Sequence, residues 1–135
     1  MGTFDEMLAK ARSIKHRKRP DDEEHRIQCA CVQWFRLQFK QLKMNLFAVP
    51  NGGRRDVIIG AKLKEEGVLA GVSDLILLYP SGEYSALCIE MKTPKGKQSQ
   101  SQQLWQQHIE AYGYKYVICH SLEEFITTIN QYLHI

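Results

Sequence analysis

A small mixed β-sheet sandwiched between helices is the fold class this chain predicts, and three observations predict it. The 135 residues are 44% hydrophobic and 24% charged, a balance that suits one globular domain burying a single core. Short apolar runs bounded by turn residues alternate with stretches of helical periodicity. Read in order, these segments run helix, strand, short helix, hairpin, helix, strand, helix, an α/β arrangement.

Residues 1–20 read as a basic N-terminal arm, with a short helix over Phe4 to Ile14 closed by Pro20. The folded domain occupies residues 21–135. Glu24, Ile27, Gln28, Cys31, Val32, Phe35, Leu37, Phe39 and Leu42 recur at near-helical spacing behind an acidic first turn, which predicts a long helix over 21–43. "NLFAVP" reads as a short strand, "NGGRRD" as a turn and "VIIGAKLKEEG" as a short helix stopped by Gly67. "SDLILLYP" and "EYSALCIEMKT" form a hairpin across a turn at Pro80 to Glu83. "SQQLWQQHIEAYG" is a helix capped by Ser101, with Leu104, Trp105, His108, Ile109 and Tyr112 on one side, preceded by a polar linker, "KQSQSQQ". "YKYVICH" is a further strand. Ser121-x-x-Glu124 is a capping box opening a final amphipathic helix that carries Leu122, Phe125, Ile126, Ile129, Tyr132 and Leu133.

Composition narrows the function classes. No apolar run is long enough to span a bilayer and the N-terminus lacks the apolar core of a secretory signal, so a cytoplasmic location and no membrane partner are expected. Cys29, Cys31, Cys88 and Cys119 are scattered without a C-x-x-C pair, which argues against zinc or disulfides. The net charge is only +3, yet the cations cluster. Lys10, Arg12, Lys15, Arg17, Lys18 and Arg19 crowd the arm; Arg54, Arg55, Lys62 and Lys64 form a second group; Lys92, Lys95 and Lys97 form a third. Such clustering suits a polyanion. Trp34 and Trp105 lie among apolar residues and read as core rather than as base-stacking platforms.

The chemistry concentrates in "ALCIEMKTPKGK". In an extended strand Glu90 and Lys92 share a face. If the hairpin loop has an odd count, Ser81-Gly82-Glu83, the register sets Asp74 opposite Glu90, with Cβ atoms about 4.5–5.5 Å apart; an even loop puts them on opposite faces. Two carboxylates that close repel unless a cation or proton sits between them. Mg²⁺ is the natural partner, since it takes hard oxygen ligands, often one or two carboxylates plus phosphate oxygens. With Lys92 on the same face, this predicts a site for phosphodiester hydrolysis.

"GVSDLILLY" and "CIEMKTPKGK", joined by "VPNGGRR", "KEEGVLAGVSDLILL" and "SQQLWQQHIEAYGYKYVIC", resemble the VRR-NUC family of the PD-(D/E)xK nuclease superfamily, in its stand-alone phage and bacterial form. The resemblance covers about residues 24–133 and implies a restriction-endonuclease-like fold. By position it makes Asp74 and Glu90 metal ligands, the Met91 carbonyl a third ligand, and Lys92 the catalytic lysine. It places the helix-one acid on Glu24, with Glu23 as the competing choice, and a catalytic-region glutamine on Gln102. Asn51, Gly52 and Gly53 fall on a segment that approaches DNA, with Arg54, Arg55, Lys95 and Lys97 on phosphates. Ser73 departs from the family's usual proline. The resemblance further implies Mg²⁺, or Mn²⁺ in its place, and a homodimer acting on branched DNA such as four-way (Holliday) junctions. A catalytically silent DNA-binding module of the same fold is the alternative.

Overall fold

A computed structural model of the chain describes residues 3, 6, 20–50 and 57–135. Helix α1 (Pro20–Gln38) leads through a 3₁₀ turn (Lys40–Leu42) to strand β1 (Leu46–Ala48) and helix α2 (Val57–Glu65). Strands β2 (Leu75–Leu77) and β3 (Leu87–Met91), helix α3 (Gln100–Glu110), strand β4 (Lys115–Cys119) and helix α4 (Leu122–Tyr132) follow. The strands form one sheet in the order β1-β2-β3-β4. β1, β2 and β3 pair antiparallel, and β4 joins β3 in parallel, as a crossover through α3 requires.

Strand alternation sorts the side chains onto two faces. Leu75, Leu77, Leu87, Ile89 and Met91 pack with Cys31 and Phe35 of α1 and with Phe125, Ile129 and Tyr132 of α4, forming the main core. Trp34 closes its edge, meeting the rings of Phe39 and Phe125 edge-on at 5.7 and 6.0 Å. On the other face α3 covers β4, with Trp105 against Tyr116 at 6.0 Å. β3 is therefore buried along all five residues. A charged side chain at Glu90 is committed to the interior.

Three sequence expectations need correction. The first helix ends at Gln38 rather than residue 43. Phe39 leaves the helix at φ −123° and ψ 65°, and its ring stacks back on Phe35 at 5.2 Å. Helix α3 begins two residues earlier than expected: its cap is Ser99, not Ser101. Its inward stripe is also rotated. Gln102, Trp105, Gln106 and Ile109 are half-buried, whereas Leu104 and Tyr112 are 61% and 69% exposed. Glutamines occupy inward positions because the face beneath holds Glu90 and the Tyr116 hydroxyl, which an apolar stripe would leave unsatisfied.

The hairpin turn is tighter than a three-residue loop. Ser81 and Tyr84 exchange backbone hydrogen bonds of 2.9 and 3.0 Å around Gly82-Glu83, with Gly82 at φ +58°. An even loop alone would shift the faces. The odd residue is taken up where the Tyr79 N–H turns back to the Leu77 carbonyl at 3.0 Å, a γ-turn kink at the strand end. The ladder still pairs Leu75 with Ile89 and Leu77 with Leu87, and one step further it opposes Asp74 to Glu90. Among the described residues no helix is long and apolar enough to cross a membrane. The cysteines are free, with Cys29 exposed and Cys31, Cys88 and Cys119 buried.

Candidate active site

The site forms where β2 begins and β3 ends. Successive N–H groups of a strand point to opposite neighbours: Lys92 donates to the Cys119 carbonyl of β4 at 2.9 Å, and Met91, one residue earlier, faces β2. Its N–H finds the Asp74 carboxylate, donating to Oδ2 at 2.7 Å. That bond fixes Asp74 against β3 and leaves Oδ1 for other work. Ser73, which stands where a proline is usual, is fully buried and donates from Oγ to the Leu75 carbonyl at 3.1 Å. It secures the strand entry by hydrogen bonding instead of by a fixed φ.

Glu90 is 2% exposed. Its Oε1 accepts from Gln102 Nε2 at 2.9 Å and lies 3.8 Å from Lys92 Nζ. Its Oε2 is buried with no hydrogen-bond partner among the described residues. Burial above all, then the Asp74 charge and a hydrogen bond with the Asp74 side chain, push the Glu90 carboxyl up to about 9, against the pull of Lys92. Glu24 adds to the rise, so its half-buried carboxylate reaches the same field, while Glu23 is exposed. Of the two acids, Glu24 is the one whose charge acts on Glu90.

Gln102 is held at both ends. Its Oε1 accepts from the Ser99 N–H at 2.8 Å, and the Ser99 hydroxyl accepts in turn from the Gln102 N–H at 3.3 Å, a complete capping box. Behind it, Gln98 Nε2 donates to Gln106 Oε1 at 2.7 Å and to the Tyr116 hydroxyl at 3.2 Å. Burial pushes the Tyr116 phenol up to about 12, with smaller contributions from Glu90 and Asp74 against the Gln98 hydrogen bond. Sequence reasoning missed Gln98, Ser99, Gln106 and Tyr116. The residues read as a linker are structural, and the pattern Ser99-x-x-Gln102 was the available signal.

Asp74, Glu90, Lys92, Gln102 and Glu24 are thus brought together. Met91 contributes its N–H to this cluster while its side chain lies in the core. Lys95 and Lys97 are exposed just beyond Lys92, on a turn closed by the Gly96 N–H to the Thr93 carbonyl at 2.8 Å. Asn51, Gly52, Gly53, Arg54, Arg55 and the cations of the basic arm lie outside the described residues. Among the described residues no three His, Cys, Asp or Glu side chains form a metal cage of their own. The hard-oxygen donors and the orphaned Oε2 fit a cation such as Mg²⁺, which completes its shell with water and phosphate oxygens.

An aspartate entering β2, a Glu-x-Lys leaving β3 and a glutamine-bearing helix behind them define a nuclease-type α/β domain. The VRR-NUC domain model matches residues 10–123, and the chain belongs to the VRR-NUC domain family, a family of nuclease domains. A solved structure described as a "VRR_NUC domain protein" is similar to it at a TM-score of 0.73 and 26% identity, over 82% of this chain and 88% of that chain. The search of curated proteins finds no match.

Proposed function

We propose that this domain is a divalent-metal-dependent DNA endonuclease, selective for branched DNA such as four-way junctions and acting as a homodimer. The observation that carries the reading is the Glu90 carboxyl, buried with an unpartnered Oε2 beside Asp74. Burying one carboxylate against another is costly unless a proton or cation intervenes. A proton serves in the free chain, and Mg²⁺ or Mn²⁺ would replace it.

Asp74 and Glu90, with the Met91 carbonyl, are the residues that would hold the ion. When bound, such an ion polarises the scissile phosphate and makes water a nucleophile near neutral pH. Lys92, 15% exposed on its side chain, orients the attacking water from the solvent side. Gln102 holds Glu90, and Glu24 adds negative charge to the field around the acid pair. Lys95 and Lys97, with Arg54 and Arg55 after Asn51-Gly52-Gly53, neutralise backbone phosphates and position the DNA without reading its sequence. The branched substrate and the two-fold enzyme rest on the family resemblance, because a symmetric junction suits a symmetric dimer.

A catalytically silent DNA-binding module needs the cations but not two acids and a lysine sharing one buried corner. The test is cleavage of linear, flap and four-way-junction DNA with Mn²⁺ or Mg²⁺, by the natural chain and by Asp74→Asn. Junction cleavage that needs the ion and is abolished by Asp74→Asn is expected. Tight DNA binding with no cleavage of any substrate would establish the silent module.

A further inference from the structure

Glu90 has two oxygens in different circumstances. Oε1 accepts from Gln102 Nε2 at 2.9 Å and lies 3.8 Å from Lys92 Nζ, whereas Oε2 is buried and meets no hydrogen-bond donor among the described residues. The asymmetry depends on which end of the Gln102 amide faces Glu90. A backbone N–H can only donate, so the Ser99 N–H, 2.8 Å from Gln102, must face the amide oxygen. The nitrogen is thereby turned to Glu90. The same Ser99 uses its hydroxyl to hold the Gln102 N–H.

The start of α3 is wedged from the other side as well. A Cβ on Gly71 would lie 2.4 Å from the Ser101 carbonyl oxygen and 3.1 Å from the Gln102 nitrogen, at a backbone φ of +93°. Gly71 stands three residues before Asp74, so the loop that delivers one acid braces the helix turn that orients the other. The two halves of the site are mechanically joined there.

We propose that Ser99 is a positioning residue of the metal site: its capping box fixes the Gln102 amide with nitrogen toward Glu90 Oε1, which leaves Oε2 as the oxygen Glu90 offers to a cation. The inference rests on the metal reading given above, and Ser99 itself touches neither ion nor DNA. Loss of such a supporting hydrogen bond typically costs ~10–100-fold in metal affinity.

Mn²⁺ affinity of the DNA-free protein, measured by calorimetry, tests this without reference to turnover. Ser99→Ala is expected to weaken binding at least ~10-fold, and Ser99→Thr, which keeps a capping hydroxyl, to restore it. Gln102→Ala should match Ser99→Ala, and the double variant should be no weaker than Gln102→Ala alone, since the two act in series. Ser121→Ala is the control: it removes the hydroxyl that accepts from the Glu124 N–H at 3.1 Å at the start of α4, and it should lower thermal stability while leaving Mn²⁺ affinity unchanged. Ser99→Ala that melts earlier yet binds Mn²⁺ as tightly as the natural chain would overturn the positioning role. A natural chain that binds no Mn²⁺ would instead overturn the metal reading, and this inference with it.

Discussion

Replacing Glu90 by glutamine and following stability against pH in a chelator isolates the strained carboxyl. In the folded chain Glu90 is raised from 4.5 to about 9, so the folded state holds its proton where the unfolded state has released it. Below about pH 4.5 the group is protonated in both states and its stabilising contribution is complete. As pH rises through that window toward about 9, the contribution is lost at about 1.4 kcal/mol per unit. Between about pH 5 and pH 8 the loss reaches roughly 4 kcal/mol, a large part of the 5–15 kcal/mol typical of a domain. Glu90→Gln keeps the size of the group and cannot titrate. Urea unfolding should therefore show natural and variant chains of similar stability near pH 5 and the variant several kcal/mol more stable near pH 8. Other titrating groups cancel in the difference. Mn²⁺ should stabilise the natural chain near pH 8 but not the variant, because only an ion bound to the folded state shifts the equilibrium. Parallel stability curves for the two chains would refute the argument that burial beside Asp74 holds the proton on Glu90.

Lys92→Ala is expected to keep Mn²⁺ and DNA binding while single-turnover cleavage falls ~10²–10⁴-fold; near-natural cleavage would remove the lysine from the chemistry. Gly71→Ala forces a Cβ to within 2.4 Å of the Ser101 carbonyl at a φ that L side chains rarely adopt. Thermal melts should show a loss of about 1–3 kcal/mol together with weakened Mn²⁺ binding. Deleting residues 1–19, with six Lys or Arg in residues 10–19, should weaken DNA affinity and flatten its salt dependence while sparing turnover at saturating DNA. A dimer that falls to monomer in sedimentation, with the salt slope unchanged, would make that segment a dimerisation element instead.

The sheet was legible because its strands are short apolar runs with turn residues at their ends, and Glu90-Met91-Lys92 stood out as charge where β3 runs into the interior. The opposition of Asp74 and Glu90 was also legible, although the expected route to it was wrong. The turn holds two residues between Ser81 and Tyr84, and the kink at Tyr79 restores the register; a γ-turn leaves no mark in the sequence when no glycine or proline is required at its centre. Helix α3 misled in a different way. Its apolar residues do not mark its buried side, because Gln102 and Gln106 turn inward to satisfy Glu90 and the Gln98–Tyr116 pair. Hydrophobic periodicity sees only the burial of apolar groups, and a buried polar corner inverts it.

Whether the acid pair holds a cation is settled by crystals of the protein soaked in Mn²⁺ and measured at the manganese absorption edge. One anomalous peak is expected within coordination distance of the Asp74 carboxylate and Glu90 Oε2, with Oε1 still paired to Gln102 Nε2. A peak elsewhere on the molecule, or none in crystals whose dissolved protein cleaves DNA with Mn²⁺, would contradict it.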